Sequence, residues 1–303
     1  MRIKHRVTFW LLFVLTALFS SALRGAEAVS TRDSGGRTIT LTQPAQRVIA
    51  LAPNLTELLF AVGAGGQLVG VADHSDYPPE ARQIPRIGGY DRFEPERVVA
   101  LRPDLVIGWE SGNPLHTLEA LERFGLTVFR TDPRRLEHIP GELERLGLLT
   151  GHEAEARDAA HAFRVRHAAL ETRYRDASPV SMFYQVWHQP LMTINGAHLI
   201  SDVIALCGGV NRFASLPDLA PVIELEAVLT ANPEAIVASG MGEARPDWLD
   251  QWRVWSPLTA VTRDNLFFVP PDLLQRHTPR ILDGAERVCE HLETARRHRP
   301  GAH

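Results

Sequence analysis

A pattern of fourteen residues occurs twice in this chain of 303, and that repeat restricts the folds that the chain can adopt. Residues 94–107 (EPERVVALRPDLVI) align without gaps to residues 224–237 (ELEAVLTANPEAIV), 130 residues later. Each copy has the pattern of an acidic helix start, a short helix, a proline turn and a buried strand. Because the spacing is close to the size of one domain, we predict two similar lobes with one copy in each.

Strand and helix patterns alternate through both halves of the chain. The predicted strands cover residues 47–52, 67–72, 104–109 and 126–130, and then 179–187, 234–238 and 266–269. The predicted helices cover residues 55–62, 95–101 and 114–124, and then 198–206, 224–231 and 279–291. A turn at residues 33–36 predicts a hairpin before the first of them. Alternation of this kind is typical of α/β folds with parallel sheets.

Residues 152–178 contain neither glycine nor proline and predict one long helix between the two halves. Four residues recur on it at three-to-four spacing, which favours one buried face: Phe163, His167, Leu170 and Tyr174. Thr150 and Glu153 match the pattern of a capping box at its start. At 1.5 Å per residue the helix would be roughly 40 Å long, enough to brace two lobes.

These patterns predict an α/β fold of two Rossmann-like lobes with parallel-type sheets, joined by a single long interdomain helix. The predicted division is a signal peptide at 1–28, lobes at 29–149 and 179–295, the helix at 150–178, and a tail at 296–303.

The first residues have the pattern of a cleavable secretory signal. Arg2, Lys4 and Arg6 precede an apolar run over residues 7–19, and small residues lead to Ala28. The run is shorter than the about 20 apolar residues that a membrane-spanning helix needs. We predict cleavage after Ala28 and export to the periplasm. No cysteine lies near that position, so we do not expect a lipoprotein.

Charge and composition exclude several classes of function. Removing residues 1–28 takes away four basic residues and one acidic residue, which moves the formal net charge from −4 to −7. A mildly acidic surface disfavours nucleic acid. Lys4 is the single lysine and would leave with the signal, so neither a Schiff-base lysine nor a P-loop lysine is available.

Motifs for common catalytic and metal sites are absent from the sequence. We find no G-x-S-x-G, H-E-x-x-H or C-x-x-C pattern. Four of the thirteen histidines could contribute to a metal site if the fold gathered them: His74, His188, His198 and His277. Their spacing does not form close paired ligands, which favours scattered surface histidines. An exported metal-dependent enzyme stays a rival interpretation, and it predicts a tightly held metal.

Cys207 and Cys289 are the two cysteines of the chain. An oxidising compartment favours a disulfide between them, and closing a loop of some eighty residues would contribute on the order of 4 kcal/mol. Two buried free thiols are the alternative.

Aromatic and polar residues follow several of the predicted strands. In the first half they are His74, Tyr77, Tyr90 and Trp109, and in the second half Trp187, His188, Asp272 and Arg276. Parallel sheets offer their ligand crevice at the carboxyl ends of the strands. We therefore predict a site between the lobes for a flat, amphipathic ligand, although each aromatic residue alone would be explained by packing.

Four segments together resemble the periplasmic binding proteins of ABC importers for cobalamin, haem and ferric siderophores. They are RVIALAPNLTEL at 47–58, VGVADHSDYPP at 69–79, PDLVIGW at 103–109 and CGGVN at 207–211. The likeness extends over about residues 47–293. The segments SDYPP and PDLVIGW are most similar to the cobalamin branch.

The resemblance implies a receptor, not an enzyme, that captures a corrinoid (cobalamin) between its lobes. It would deliver this ligand to an ABC permease dimer in the inner membrane, as a monomer and without a cofactor or resident metal. The implied ligand-binding residues are Asn54, His74, Tyr90, Trp109, Trp187, Asp272 and Arg276. Glu96 and Glu226 match the family's permease-docking glutamates, and Cys207 and Cys289 match its paired cysteines.

Two departures from the cobalamin branch keep other ligands open. A family tyrosine falls at His74, and a second-lobe tryptophan falls near Ala220, so haem or a ferric siderophore stays an alternative. His74 could coordinate cobalt or haem iron through its imidazole. For Glu96 and Glu226 the plainer alternative is that acidic residues suit the first turn of a helix. A regulatory partner that has kept the fold without transport is a third possibility, against which both glutamates argue.

Overall fold

The computed structural model describes residues 28–240, 242 and 244–301. The predicted signal peptide, except its last residue, lies outside them. The described chain begins with the predicted hairpin, in which β1 (Val29–Arg32) pairs antiparallel with β2 (Thr38–Leu41).

The first lobe is built on a parallel four-stranded sheet with the order β4-β3-β5-β6. Its elements are β3 (Val48–Ala50), α1 (Pro53–Ala61), β4 (Leu68–Val71), α2 (Pro95–Ala100), β5 (Leu105–Trp109), α3 (Leu115–Arg123), β6 (Val128–Thr131) and α4 (Ile139–Thr150). Short 3-10 turns lie at Ala64–Gln67, Pro79–Gln83 and Leu136–His138. The strands are buried on both faces, as parallel sheets require.

The long helix α5 spans Glu153–Tyr174, 22 residues, and is shorter than predicted. The predicted capping box is wrong. Thr150 is the last residue of α4, where its hydroxyl donates to the carbonyl of Leu146 at 2.7 Å. Gly151 then turns the chain in the left-handed conformation, with φ at 76°, which glycine adopts without strain. The new helix starts after His152.

The second lobe repeats this architecture with the parallel order β10-β7-β11-β12. Its elements are β7 (Val180–Gln185), β8 (Trp187–His188), β9 (Leu191–Met192), α6 (Leu199–Leu206), β10 (Gly209–Asn211), α7 (Leu225–Ala231), β11 (Ala235–Ala238), α8 (Thr259–Thr262), β12 (Leu266–Phe268), α9 (Pro271–Leu274) and α10 (Ile281–Arg297). A 3-10 segment covers Asp247–Val254.

The sequence repeat occupies the same place in both lobes. The first copy forms α2 and β5, and the second copy forms α7 and β11. Both strands are third in the order of their sheets, and the equivalent helix residues Val98 of α2 and Val228 of α7 are fully buried. The prediction of two similar α/β lobes is confirmed.

Helix α5 braces both lobes. Its buried face includes Phe163, Leu170 and Tyr174, which belong to one apolar cluster with residues of both sheets. On its outer face Arg166 forms ion pairs with Asp283 (2.8 Å) and Glu286 (2.9 Å) of α10. Since the two lobes share one core through this helix, we expect their relative movement to be small.

Cys207 and Cys289 form a buried disulfide that joins the end of α6 to α10 across 82 residues. This confirms the predicted pairing. Across residues 28–240, 242 and 244–301, every helix is too short or too polar to traverse a lipid bilayer.

Candidate ligand-binding site

A cavity of about 190 Å³ lies between the lobes. It is lined by Pro53, Asn54, Tyr90 and Trp109 of the first lobe and by Pro271, Asp272, Gln275 and Arg276 of the second. Trp109 ends β5 and the other residues lie after the carboxyl ends of strands, at the edge where parallel sheets bind ligands. Of the seven predicted ligand-binding residues, the structure thus brings together Asn54, Tyr90, Trp109, Asp272 and Arg276.

Aromatic rings form one wall of the cavity. The ring centroids of Tyr90 and Trp109 are 6.3 Å apart, and the Tyr90 residue is 43% exposed. The Trp109 indole donates from Nε1 to Asp132 at 3.2 Å and meets the ring of His277 edge-on at 5.7 Å. Tyr90 and Trp109 therefore present partly exposed π-faces, and the contact with His277 supports Trp109 from the second lobe.

Asn113 holds both aromatic residues in place, a role that the sequence analysis missed. Its Oδ1 accepts from the Trp109 amide at 2.7 Å, and its Nδ2 donates to the carbonyls of Tyr90 (2.6 Å) and Leu51 (2.9 Å). Gly112 makes room beside it, because a Cβ there would overlap the Trp109 indole. The turn residues Ser-Gly-Asn-Pro after β5 were the available signal.

Asn54 provides an unused hydrogen-bond donor. It is 3% exposed, and its Nδ2 has no hydrogen-bond partner within the described residues. Buried amides are nearly always satisfied, so this group is available to an acceptor on a ligand.

Charged residues connect the two lobes beside the cavity. Glu57 of α1 accepts from Arg276 (2.9 Å), Arg280 (3.0 Å) and Thr278 (3.0 Å) of the second lobe. Burial raises the pKa of the Glu57 carboxyl, while the two arginines and Thr278 oppose that rise by stabilising its ionised form. Arg280 also lies 3.7 Å from the ring centroid of Tyr77. Sequence analysis had identified Arg276 alone of this group as a ligand contact.

His74 and Trp187 do not line the cavity. His74 is exposed at its mouth, where its carbonyl accepts from Arg276 at 3.3 Å. Trp187 lies on the β8–β9 hairpin and donates from Nε1 to the carbonyl of Gln189 at 2.9 Å. Its neighbour His188 stacks on Trp248 and lines a separate hollow of about 420 Å³, all of whose lining residues belong to the second lobe.

Residues 48–273 match the family model described as periplasmic binding protein. The chain belongs to the periplasmic binding protein family.

Several relatives of this periplasmic binding protein are known. The vitamin B12-binding protein of Vibrio cholerae is 37% identical over 255 residues, which cover 84% of this chain and 91% of that one. The corresponding protein of Photorhabdus laumondii is 37% identical over 246 residues, covering 81% and 87%. The solved periplasmic vitamin B12 binding protein of Vibrio cholerae superposes with a TM-score of 0.78, 36% identity and coverage of 84% and 98%. A periplasmic heme binding protein from Pseudomonas aeruginosa reaches a TM-score of 0.68 at 26% identity, covering 81% and 91%.

Glu96 and Glu226 occupy matching positions on the outside of this periplasmic binding protein. Each is exposed in the first turn of its helix, α2 or α7. Neither forms an ion pair with another described residue. Two equivalent, unpaired carboxylates, one on each lobe, suit a partner with two basic contacts.

The histidines do not assemble into a metal site within the described residues, where no group of three or more His, Cys, Asp or Glu side chains could hold an ion. The pair His198 and His277 lies with ring centroids 5.6 Å apart. Burial lowers the pKa of His277 to about 4, and burial followed by the neighbouring His277 lowers the pKa of His198 to about 3.

We expect the buried His277 to make the protein sensitive to acid. The unfolded chain takes up this proton near pH 6.5 and the folded chain only near 4, so stability falls as the pH is lowered between these values. At pH 5 the loss is on the order of 2 kcal/mol. Urea unfolding at pH 7.5 and pH 5 should show a smaller pH-dependent loss for His277→Gln than for the wild type. The exposed His161→Gln is the control and should match the wild type; equal losses in all three would contradict the assignment.

Proposed function

We propose that this protein captures cobalamin in the cleft between its lobes and delivers it to an ABC import permease. The observation that carries the proposal is the cavity itself. Aromatic Tyr90 and Trp109 of the first lobe face polar Asp272 and Arg276 of the second, in a chain 37% identical to vitamin B12-binding relatives.

The chemistry of the cavity suits a corrinoid, which is a large, nearly flat ring with amide groups around its edge. The π-faces of Tyr90 and Trp109 would stack on the ring. The Nδ2 of Asn54 and the charged groups of Asp272 and Arg276 would form hydrogen bonds with the amides at the edge of the ring. The cavity is smaller than the roughly 300–1,000 Å³ of most small-molecule sites, so a corrinoid would bind across its mouth after a local displacement of side chains there.

The proposed setting is the periplasm, and no chemical step is involved. The amino-terminal signal pattern and the Cys207–Cys289 disulfide both suit an exported protein. The matched, exposed Glu96 and Glu226 would contact basic residues of a permease dimer in the inner membrane. In this proposal the two lobes that enclose the ligand are residues 29–149 and 179–295.

Haem or a ferric siderophore is the second candidate ligand. His74 favours haem, since it is an exposed histidine whose backbone carbonyl contacts the cavity-lining Arg276, and imidazole is a ligand that suits iron. Visible spectra test ligation by His74: it would shift the absorption of the bound haem or corrinoid, and His74→Ala would abolish that shift.

Titration of the purified protein with cyanocobalamin, haem and a ferric siderophore tests the proposal. We expect cyanocobalamin to quench tryptophan fluorescence and to bind at micromolar concentration or below, while the other two bind much more weakly. Strong binding of haem or the siderophore alone would support the receptor function and refute cobalamin as the ligand. Binding of none of them would refute the proposed function.

A further inference from the structure

Arg276 is held by both lobes at the mouth of the cavity. Its Nη1 donates to Glu57 Oε1 and to Asp76 Oδ1, both at 2.9 Å. Its Nη2 lies 2.9 Å from Asp272 and 3.3 Å from the carbonyl of His74. Glu57, His74 and Asp76 belong to the first lobe, so one guanidinium fastens the two lobes together across the site.

The two first-lobe carboxylates on Arg276 differ in how easily they can leave it. The Glu57 side chain is 2% exposed and also accepts from Arg280 and Thr278, so parting it from these second-lobe residues would leave a buried, uncompensated charge. The Asp76 side chain is 46% exposed, and Arg276 is its one ion-pair partner within the described residues. Asp76 can therefore return to water at small cost, whereas Glu57 cannot.

We propose that Asp76 competes with the ligand for Arg276. In the unliganded protein, Asp76 and the His74 carbonyl form a latch on the guanidinium, and a ligand oxygen replaces Asp76 when the ligand binds. Glu57 stays in place and keeps Arg276 aimed at the cavity. This inference rests on the proposed function, because it takes Arg276 to be a ligand contact.

The exchange specifies the chemistry of the replacing group. When the Asp76 carboxylate leaves, the freed N–H of the Arg276 guanidinium needs another acceptor oxygen. An amide carbonyl or a phosphodiester at the edge of a corrinoid provides one. The ligand needs no hydrogen-bond donor at that point, because both Nη atoms of Arg276 are donors.

Asp76→Asn tests the latch with little change in size. We expect cyanocobalamin to bind roughly threefold more tightly, the range that a partly exposed ion pair supplies. Stopped-flow fluorescence should place the gain in a faster association rate and leave dissociation unchanged. Asp73→Asn is the matched control: it removes a carboxylate from the same loop, and Asp73 has no ion-pair partner among the described residues. Its Kd should equal that of the wild type.

Two results with the ligand would overturn the latch. An unchanged Kd for Asp76→Asn would show that no competition exists, and weaker binding through faster dissociation would show that Asp76 contacts the ligand directly. A double-mutant cycle of Asp76→Asn and Arg276→Gln in urea unfolding of the unliganded protein provides a second readout. Coupling between the two residues supports the latch, and its absence refutes it. Absence of coupling refutes the latch whether or not the wild type binds a tested ligand, whereas a wild type that binds none of them refutes the proposed function.

Discussion

Replacing Glu96 and Glu226 together by alanine is expected to reduce cellular uptake of the ligand roughly tenfold or more, while the Kd of the purified protein stays unchanged. Both carboxylates are exposed, and neither is paired within the described residues or lines the cavity between the lobes. Their loss should therefore affect a contact with the permease and leave ligand binding intact. Each single variant should fall between the wild type and the double variant.

The measurement is uptake of labelled cyanocobalamin by cells whose chromosomal copy has been deleted and replaced by each variant. Glu153 and Glu155 provide a matched control, because they are exposed acidic residues in the first turn of α5. The control is the Glu153→Ala, Glu155→Ala variant. If Glu96 and Glu226 only stabilised their helix dipoles, this control and the Glu96→Ala, Glu226→Ala variant would show the same uptake. Normal uptake by the Glu96→Ala, Glu226→Ala variant would refute the docking assignment.

The repeat was the part of the sequence from which the fold could be predicted most directly. Val98 and Val228 are buried, the proline turns follow, and the strands enter equivalent sheets, so local pattern and tertiary structure agree. Prediction failed where two helices meet. Pro140 and Gly141 at the start of α4 obscured a helix whose Leu143, Leu146 and Leu149 are buried, and the missing helix led to the wrong capping box.

The candidate site could be predicted only in part, for a physical reason. Residues such as Tyr90, Trp109 and Arg276 lie at or after the carboxyl ends of strands, and a parallel sheet brings these ends together whatever the details of packing. Glu57 lies within α1, which is a mostly apolar helix, and its partners Arg276 and Arg280 are about 220 residues away in the chain. Local pattern does not show such a pair, because only the approach of the two lobes creates it.

Trp109→Ala is expected to weaken cyanocobalamin binding roughly 100-fold, or about 2.7 kcal/mol, as for a buried aromatic anchor at a binding site. Trp109 stands at the centre of the wall, between Tyr90 and His277, and its indole is oriented by Asp132. Removing the ring would delete the larger of the two stacking faces. Tyr90→Ala should have a smaller effect, because Tyr90 is more exposed.

Two substitutions separate loss of stacking from loss of structure. Trp109→Phe keeps an aromatic face but loses the hydrogen bond to Asp132, so we expect its Kd to rise only severalfold. Trp248→Ala removes a tryptophan from the separate second-lobe hollow and should leave the Kd unchanged. Circular dichroism of each unliganded variant checks that the fold is retained. Should a folded Trp109→Ala protein bind as tightly as the wild type, the ligand would have to lie away from this wall, and the hollow beside His188 and Trp248 would become the place to look.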